Sequence, residues 1–563
     1  MAVVGVAVLL VLLALYAARK VIAREVLTGW LRAHGVAAQL EVDGLGLGAF
    51  GGRLRLGDPR APDATVDDVR ITYGLRGLSF EVRSVTLRAP VLRARLHGGK
   101  LSLGALDPLI EELRRRPPQP DTGQPRIAIE GGVLLLATDY GPLRLAGDAT
   151  LEDGRLMRLA VRADPARLRG PGFDIATGAA TASVRTTGPR MALALEAPLN
   201  RLQAGRVTVT GARLTLTATA PYPDLKRQRL DGAVTLRAGL AGGQLDLAGD
   251  SLAGLQINAT LNGEAAGGIG NFALKALLTA DLRSSGGTVR GARVGGLQVN
   301  VKASDLRWTR QGGDAVAATP QASLLVQAVD AGDLRLTQVR TQVQGPVSLG
   351  SGVLRAALTG GLDGRGAWRG LGAVAPADDP TVAAAKRAAQ GFRFVTTDAR
   401  VDLAAGVVRV ALPRPARVLA DSGGVLTVSG RSGDPVVGPD GGRLSLALKG
   451  GGLPMLDADL RRLAIAAGGV TAEGVASVAG SFGPAREATL NASGTLSAQA
   501  GILRFTAARC APFTARKLAF GANDVEGLAG RFCPWDGPVF ILAKGDWRLR
   551  GQVEGLNGET PFL

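Results

Sequence analysis

The chain has 563 residues, 80 of them glycine, and only 4% are aromatic, so it lacks the large rings that fill compact cores and does not resemble a set of ordinary globular domains. Its formal net charge of +18 favours an anionic partner, although a GC-rich coding sequence gives the same excess of arginine. No basic run is interleaved with aromatic residues, which argues against nucleic acid.

The chain begins with an apolar run of 17 residues, Ala2 to Ala18, followed by Arg19 and Lys20. This is the short end of the range for a transmembrane helix. The alternative is a cleaved signal peptide, but no A-x-A site ends the run, so we predict an uncleaved anchor. The positive flank lies on the C-terminal side, against the positive-inside rule for an exported body, and we therefore expect basic residues upstream of Met1.

An amphipathic helix is predicted to follow the anchor, so that residues 1–34 form one membrane-proximal segment. Its apolar face contains Ile22, Val26, Trp30 and Ala33, and Gly35 is placed to end it.

Residues 35–116 are predicted to form a first β segment that closes with a short helix. In the hairpin over residues 85–106, the phase of alternation changes after Pro90 and a Gly98-Gly99 turn joins the two strands. Asp107 and Pro108 predict the N-cap and first turn of a helix. That helix carries Leu109, Ile110 and Leu113. A Pro-rich stretch over 117–125 predicts a linker.

A long β array is predicted over residues 126–375. Strands alternate between apolar and polar side chains, and Gly-Gly turns such as Gly242-Gly243 separate them. The strand-turn-strand units have no fixed consensus, which favours successive meanders over a strict solenoid repeat.

A helix is predicted within residues 376–392, and the β array resumes over 393–563. Asp379 is its expected cap, Pro380 its first residue and Gly391 its end. Its predicted apolar side is thin and consists of Val382, Ala385 and Ala389. A surface connector is the favoured interpretation, and a plug or lid on the sheet is the alternative.

The only two cysteines, Cys510 and Cys533, lie near the C-terminal end. A zinc site needs more ligands, and His34 and His97 are far away in the sequence, so no metal is expected. A disulfide is favoured, and it would indicate an oxidising compartment such as the periplasm. Two buried free thiols are the alternative.

No catalytic signature is found in the sequence. We see no G-x-S-x-G, no H-E-x-x-H and no Walker loop, and the acidic residues Asp246, Asp250 and Asp457 occur at strand ends and turns rather than in pairs. The sequence therefore predicts a protein that is not an enzyme and has no cofactor.

Two stretches carry a family resemblance: "VTLRAPVLRARLHGGKLSLGALDPLI" at 85–110 and "RFCPWDGP" at 531–538. With the N-terminal anchor and the Gly-punctuated β array, they resemble the YdbH branch of the AsmA-like proteins of Gram-negative bacteria, to which TamB and YhdP are related. The resemblance leads us to expect a further C-terminal region beyond Leu563.

The resemblance implies an all-β fold: an elongated twisted β-sheet curled into a hydrophobic groove, with an N-terminal transmembrane helix and a few short helices. It implies a single-pass inner-membrane protein whose bulk lies in the periplasm and whose groove conducts phospholipid between the two membranes. A further outer-membrane or periplasmic protein would complete the path. The candidate groove-lining residues are Leu92, Ala94, Leu96, Leu101, Leu103, Leu214, Leu216, Val234, Leu236, Leu245 and Leu247.

Two other functions are compatible with such a sequence. One is a TamB-like scaffold that assists the assembly of outer-membrane proteins by strand pairing at a sheet edge. The other is a closed β-solenoid whose apolar face packs on itself.

Overall fold

A computed structural model describes most of the chain. The described residues are 24–25, 28–29, 31–33, 36–46, 48–58, 60–76, 79–108, 111, 125–224, 227–268, 271–431, 433–466, 469–499, 501–520, 523–543 and 546–560. Among these residues no helix combines the length and apolar character that a membrane crossing requires. The predicted anchor, Ala2 to Ala18, lies outside them.

The described chain is all-β, as predicted, and divides into two units. The first unit comprises residues 1–248 and 254–264, and the second comprises residues 249–253 and 265–563. The segments predicted from the sequence divide the chain at other positions than these two units do, and those segment boundaries stay predictions.

The first unit is built from successive strands. They are β1 Ala38–Leu45, β2 Ala49–Asp58, β3 Ala61–Arg76, β4 Ser79–Arg88, β5 Val91–His97, β6 Lys100–Ser102, β7 Arg126–Thr138, β8 Gly141–Glu152, β9 Arg155–Ala163, β10 Ala166–Gly170, β11 Phe173–Thr177, β12 Ala180–Thr187, β13 Arg190–Ala204, β14 Val207–Pro221, β15 Gly232–Ala241 and β16 Gln244–Leu247. The strand pairs in this unit are antiparallel, except that β7 pairs in parallel with both β4 and β5. The unit boundary falls within β18 Gln256–Gly268.

The second unit continues the same antiparallel pattern. Its strands are β17 Asp250–Ala253, β19 Asn271–Val289, β20 Ala292–Gln311, β21 Asp314–Ala318, β22 Gln321–Ala331, β23 Leu334–Gln344, β24 Val347–Gly350, β25 Val353–Trp368, β26 Phe392–Ala404, β27 Val407–Ala411, β28 Ala416–Ala420, β29 Val425–Gly430, β30 Gly442–Lys449, β31 Met455–Ala466, β32 Gly469–Phe482, β33 Ala485–Gln499, β34 Ile502–Ala507, β35 Ala511–Phe520, β36 Asn523–Cys533, β37 Phe540–Ala543, β38 Asp546–Leu549 and β39 Gln552–Glu559.

The hairpin over residues 85–106 forms as the sequence predicts. Ala89 has a positive φ of 45°, which accounts for the phase change at Pro90, and the glycines of the turn have φ values of 55° and 77°. The predicted short helix is present, with Asp107, Pro108 and Glu111 in helical conformation, but its start differs from the prediction. A 3-10 turn, η1 Gly104–Leu106, begins before Asp107, whose carboxylate instead accepts the backbone N–H of Leu103 at 2.6 Å. Asp107 has helical backbone and is therefore not the N-cap. Leu109, Ile110 and Leu113 lie outside the described residues, as does most of the predicted linker.

The described part of the N-terminal helix packs on a different face from the one predicted. Ala33 is exposed, whereas Thr28 and Leu31 are only 5% and 9% exposed. Leu31 joins a small core with Val36 and Leu56. The other predicted face residues, Ile22, Val26 and Trp30, lie outside the described residues, together with Gly35.

The inserted helix, α1 Pro380–Gln390, has the predicted bounds. Asp379 accepts the backbone N–H of Thr381 at 2.8 Å, as an N-cap does. Its buried residues are Ala383 and Ala384, and Val382 is 43% exposed, so the predicted apolar side was wrong at that position. The Thr381 hydroxyl donates to the carbonyl of Ser481 at 2.6 Å, which fixes the helix N-terminus to the end of β32.

Candidate functional site

An unbroken apolar row crosses ten strands of the first unit at right angles to them. Each member lies directly opposite the next in the strand register, and side chains in directly opposed positions share one face of a sheet. The first apolar row consists of Gly52, Val69, Leu87, Ile129, Ala149, Leu159, Val184, Leu193, Ala218 and Leu236.

The neighbouring row, displaced by one residue along each strand, has its side chains on the other face of the sheet and differs in composition. It contains four hydroxyl side chains and three arginines, and it has no leucine, isoleucine or valine. Its members from β3 to β15 are Arg70, Thr86, Ala128, Thr150, Arg158, Arg185, Ala192, Thr219 and Thr235. The strands of this unit therefore align one apolar face and one polar face.

The second unit contains a corresponding row across ten strands from β25 to β36. This second apolar row consists of Gly364, Phe394, Val418, Leu426, Leu448, Leu456, Val478, Leu490, Phe513 and Gly530. Both phenylalanines lie over a glycine: a Cβ on Gly364 would be 2.5 Å from Cζ of Phe394, and one on Gly530 would be 3.0 Å from Cζ of Phe513. The rings thus occupy space that a side chain on the neighbouring strand would need.

The apolar face is more enclosed than the polar face. Every member of the first and second apolar rows is buried or half-buried. Alanine allows a comparison at constant side-chain size: on β13, Ala192 and Ala194 of the polar face are exposed, whereas Ala197 of the apolar face is 7% exposed. In the second unit Ala447 of the polar face is exposed, and Ala458 of the apolar face is 9% exposed.

The predicted groove-lining residues fall largely on the apolar face of the first unit. Leu92 and Ala94 lie opposite Leu134 and Leu136 of β7. The members of the set that are buried or half-buried are Leu92, Ala94, Leu96, Leu103, Leu214, Leu216, Val234, Leu236 and Leu245. That they line a groove stays a prediction.

Leu101 and Leu247 differ from the rest of the set because they are 60% and 45% exposed. Leu101 belongs to a strand of three residues that pairs with β5, and Leu247 is the last residue of β16. Both positions have fewer neighbours than a strand centre provides.

Each unit has a concave region along its strands. In the first unit a cavity of about 560 Å³ crosses five strands and is lined along one register row by Gly147, Val161, Ala182, Leu195 and Leu216. In the second unit a larger cavity of about 1380 Å³ has many polar lining residues, including Asp281, Asn300, Lys302 and Arg340. Sequence reasoning identified neither the rows nor these cavities, because both depend on the register between strands.

The predicted disulfide is present in the structure: Cys510 and Cys533 are bonded, and Cys533 is 2% exposed. Their neighbours Ala511 and Phe532 are directly opposed, so the bond closes the open end of the β35–β36 hairpin. Glu554 lies near both sulfurs. Because the sulfurs are joined to each other, they are not thiolates available to a metal ion.

The one histidine among the described residues is His97, and its contacts are structural. Its Nδ1 lies 2.6 Å from Oδ1 of Asp139, and the backbone N–H of Gly98 donates to the other carboxylate oxygen at 2.9 Å. The Gly98 N–H and then the His97 ring lower the pKa of Asp139. These bonds join two turns, and His97 is 92% exposed on the surface.

Comparison with known proteins identifies one family. The family model for YdbH-like proteins, described as intermembrane phospholipid transport protein YdbH, matches residues 7–532. No curated protein sequence matches the chain. The match extends over both units and includes nine of the ten strands of the second apolar row in full, so the chain belongs to the YdbH-like family of intermembrane phospholipid transport proteins.

Proposed function

We propose that the apolar face of each unit shelters the acyl chains of phospholipids as they pass between membranes. The observation that carries this proposal is the pair of apolar rows, each running through ten strands without a polar side chain. Because the rows run across the strands, lipid chains lying along them would pass from strand to strand.

The free energies involved make such a surface effective. Exposing a methylene group to water costs about 0.8 kcal/mol, so two acyl chains with roughly 28 methylenes together cost on the order of 20 kcal/mol. An apolar surface that stays in contact with the chains removes most of that barrier. The protein needs no chemical step, and the direction of net movement depends on a gradient or on a partner.

The remaining parts of the proposal concern location. A chain of this family that works between two membranes is expected in the cell envelope, and we place its N-terminus in the inner membrane and its strands in the periplasm. The Cys510–Cys533 bond supports an oxidising compartment. No feature of the described residues favours the scaffold role in outer-membrane protein assembly.

The proposal is tested by placing a charge on each face of one strand. Leu193→Asp puts a carboxylate in the first apolar row, and Ala192→Asp puts the same group on the polar face one residue away. We expect phospholipid to copurify with the wild-type chain, L193D to lose most of it and A192D to keep it, as measured by lipid extraction and mass spectrometry.

A second measurement covers the case in which L193D folds poorly. A benzophenone amino acid placed at position 193 should crosslink to lipid in cells, and one at position 192 should not. Equal crosslinking at the two positions, or wild-type protein free of lipid after mild extraction, would contradict the proposal.

A further inference from the structure

Three arginines on the polar face of the second unit, near one another in the strand register, form no ion pair within the described part of the chain. Arg365 of β25 lies directly opposite Arg393 of β26, and Asp363, two residues before Arg365, lies opposite Arg340 of β23. Arg340 lines both the cavity of about 1380 Å³ and a second cavity of about 470 Å³. Arg393 lines the larger cavity and Arg365 the smaller one, so the three side chains surround adjoining concave surfaces.

These arginines are on the face opposite the second apolar row. Arg393 lies between Phe392 and Phe394 in β26, and Arg365 lies between Gly364 and Gly366 in β25. Since successive side chains of a strand alternate between faces, the guanidinium groups point away from the phenylalanine rings. The cluster is therefore separate from the surface proposed to hold acyl chains.

Several other arginines on the polar faces are ion-paired, and the directly opposed Arg158 and Arg185 of the first unit, which have no ion pair among the described residues, line none of the cavities described above. Arg213 lies 2.7 Å from Glu196, Arg431 lies 2.7 Å from Asp459, and Arg400 lies 3.2 Å from Asp402. Among the described residues, neither Arg340, Arg365 nor Arg393 has a carboxylate oxygen within ion-pair distance. Like charges directly opposed in a sheet are destabilising, so Arg365 and Arg393 lower stability unless an anion lies between them.

We propose that Arg340, Arg365 and Arg393 form a binding site for a phosphate group. Guanidinium groups bind phosphate through paired N–H···O bonds, and an opposed pair of arginines with a third that lines both adjoining cavities supplies more positive charge than a single exposed arginine does. The phosphate belongs either to the headgroup of a lipid, as a diester, or to a free phosphate ion.

The test uses the full chain and two probes without acyl chains, so that its result is independent of the apolar rows. The probes are inorganic phosphate and glycerophosphoglycerol, the deacylated headgroup of phosphatidylglycerol. Binding is measured by calorimetry and by the shift of Tm at constant ionic strength, because a ligand of the folded state raises Tm.

We expect at least one probe to bind the wild-type chain and the double variant R365Q/R393Q to bind it at least tenfold more weakly. The variant should fold, because it removes a like-charge contact, and its Tm without ligand should equal or exceed that of the wild type. Arg400→Gln is the matched control, since Arg400 is on the same strand as Arg393 and is already paired.

Each outcome of the binding measurements either supports the proposal or overturns it. Binding of the diester alone identifies a lipid headgroup as the source, and binding of inorganic phosphate identifies the free ion as sufficient. The proposal is overturned if neither probe binds, if R365Q/R393Q binds as well as the wild type, or if R400Q loses as much binding as the double variant.

Discussion

The two units build the same kind of surface from different residues. The first apolar row is made of aliphatic side chains with a single glycine at one end, whereas the second places phenylalanine rings over glycines at both ends. The concave regions of the two units differ as well: the larger one, in the second unit, is lined by many polar residues and by arginines without an ion pair among the described residues. The comparison teaches that a continuous apolar row depends on strand register and not on a particular residue type.

The largest expected difference between the units comes from the disulfide, because both cysteines belong to the second unit. With a sequence separation of 23, loss of the bond should cost roughly 3 kcal/mol of stability. We expect reduction, or the C510S/C533S variant, to speed hydrogen exchange in the β35–β36 hairpin and to leave the peptides of the first unit unchanged. Equal effects in both units would show that their stabilities are not separate.

A smaller effect is expected from filling the space under a phenylalanine. Gly364→Ala should destabilise the second unit by about 1–3 kcal/mol, because the new Cβ overlaps the Phe394 ring. Gly350→Ala is the control, since a Cβ there meets nothing within 4 Å. The measurement is the free energy of unfolding in denaturant, and F394L should relieve the effect of G364A. An unchanged stability for G364A would mean that the ring moves freely.

The smallest expected effect is a pH dependence at α1. The side chain of Lys386 and then the backbone N–H of Ala375 donate to Asp378 and lower its pKa. A carboxylate with a lowered folded-state pKa stabilises above its unfolded value, about 3.9, and this contribution is lost as the pH falls through the folded-state pKa.

We therefore expect hydrogen exchange in α1 to rise, relative to the strand amides of the first unit, as the pH falls below about 4. Asp378→Asn should remove this dependence, whereas Asp379→Ala should weaken the helix at every pH through loss of the N-cap. A D378N variant that keeps the wild-type pH profile would assign the effect to another group.

Local sequence patterns predicted many of the strands and turns of this fold. They did not predict how strands that are distant in the sequence pair with each other. Alternation and a Gly-Gly turn located the hairpin at Gly98-Gly99, because strand and turn preferences act over a few residues. The turn predicted at Gly242-Gly243 was wrong: β15 and β16 both pair with β14, one after the other, so the chain continues in the same direction through the two glycines. No local pattern predicts the parallel pairing of β7 with β4 and β5, because β6 and a further stretch of chain separate β7 from both strands in the sequence.

The apolar and polar faces were predicted in part for the same reason. Leu214 and Leu216 were assigned to the apolar face from their own strand. The opposition of Arg365 and Arg393 was not predicted, because it depends on how β25 pairs with β26 across α1 and its flanking loop.

The uniformity of the apolar rows bears on how such a protein tolerates change. In the proposed mechanism, a sliding hydrocarbon chain would meet a similar environment at each successive strand, about 4.8 Å apart, so its energy profile along the row would have no deep well in which it is trapped. Exchanges that conserve side-chain volume, such as leucine for isoleucine, should cost little stability, whereas leucine to alanine at a buried position of a row should lower it. Selection at these positions would act on hydrophobicity as a class, which lets sequences diverge widely while conduction is preserved.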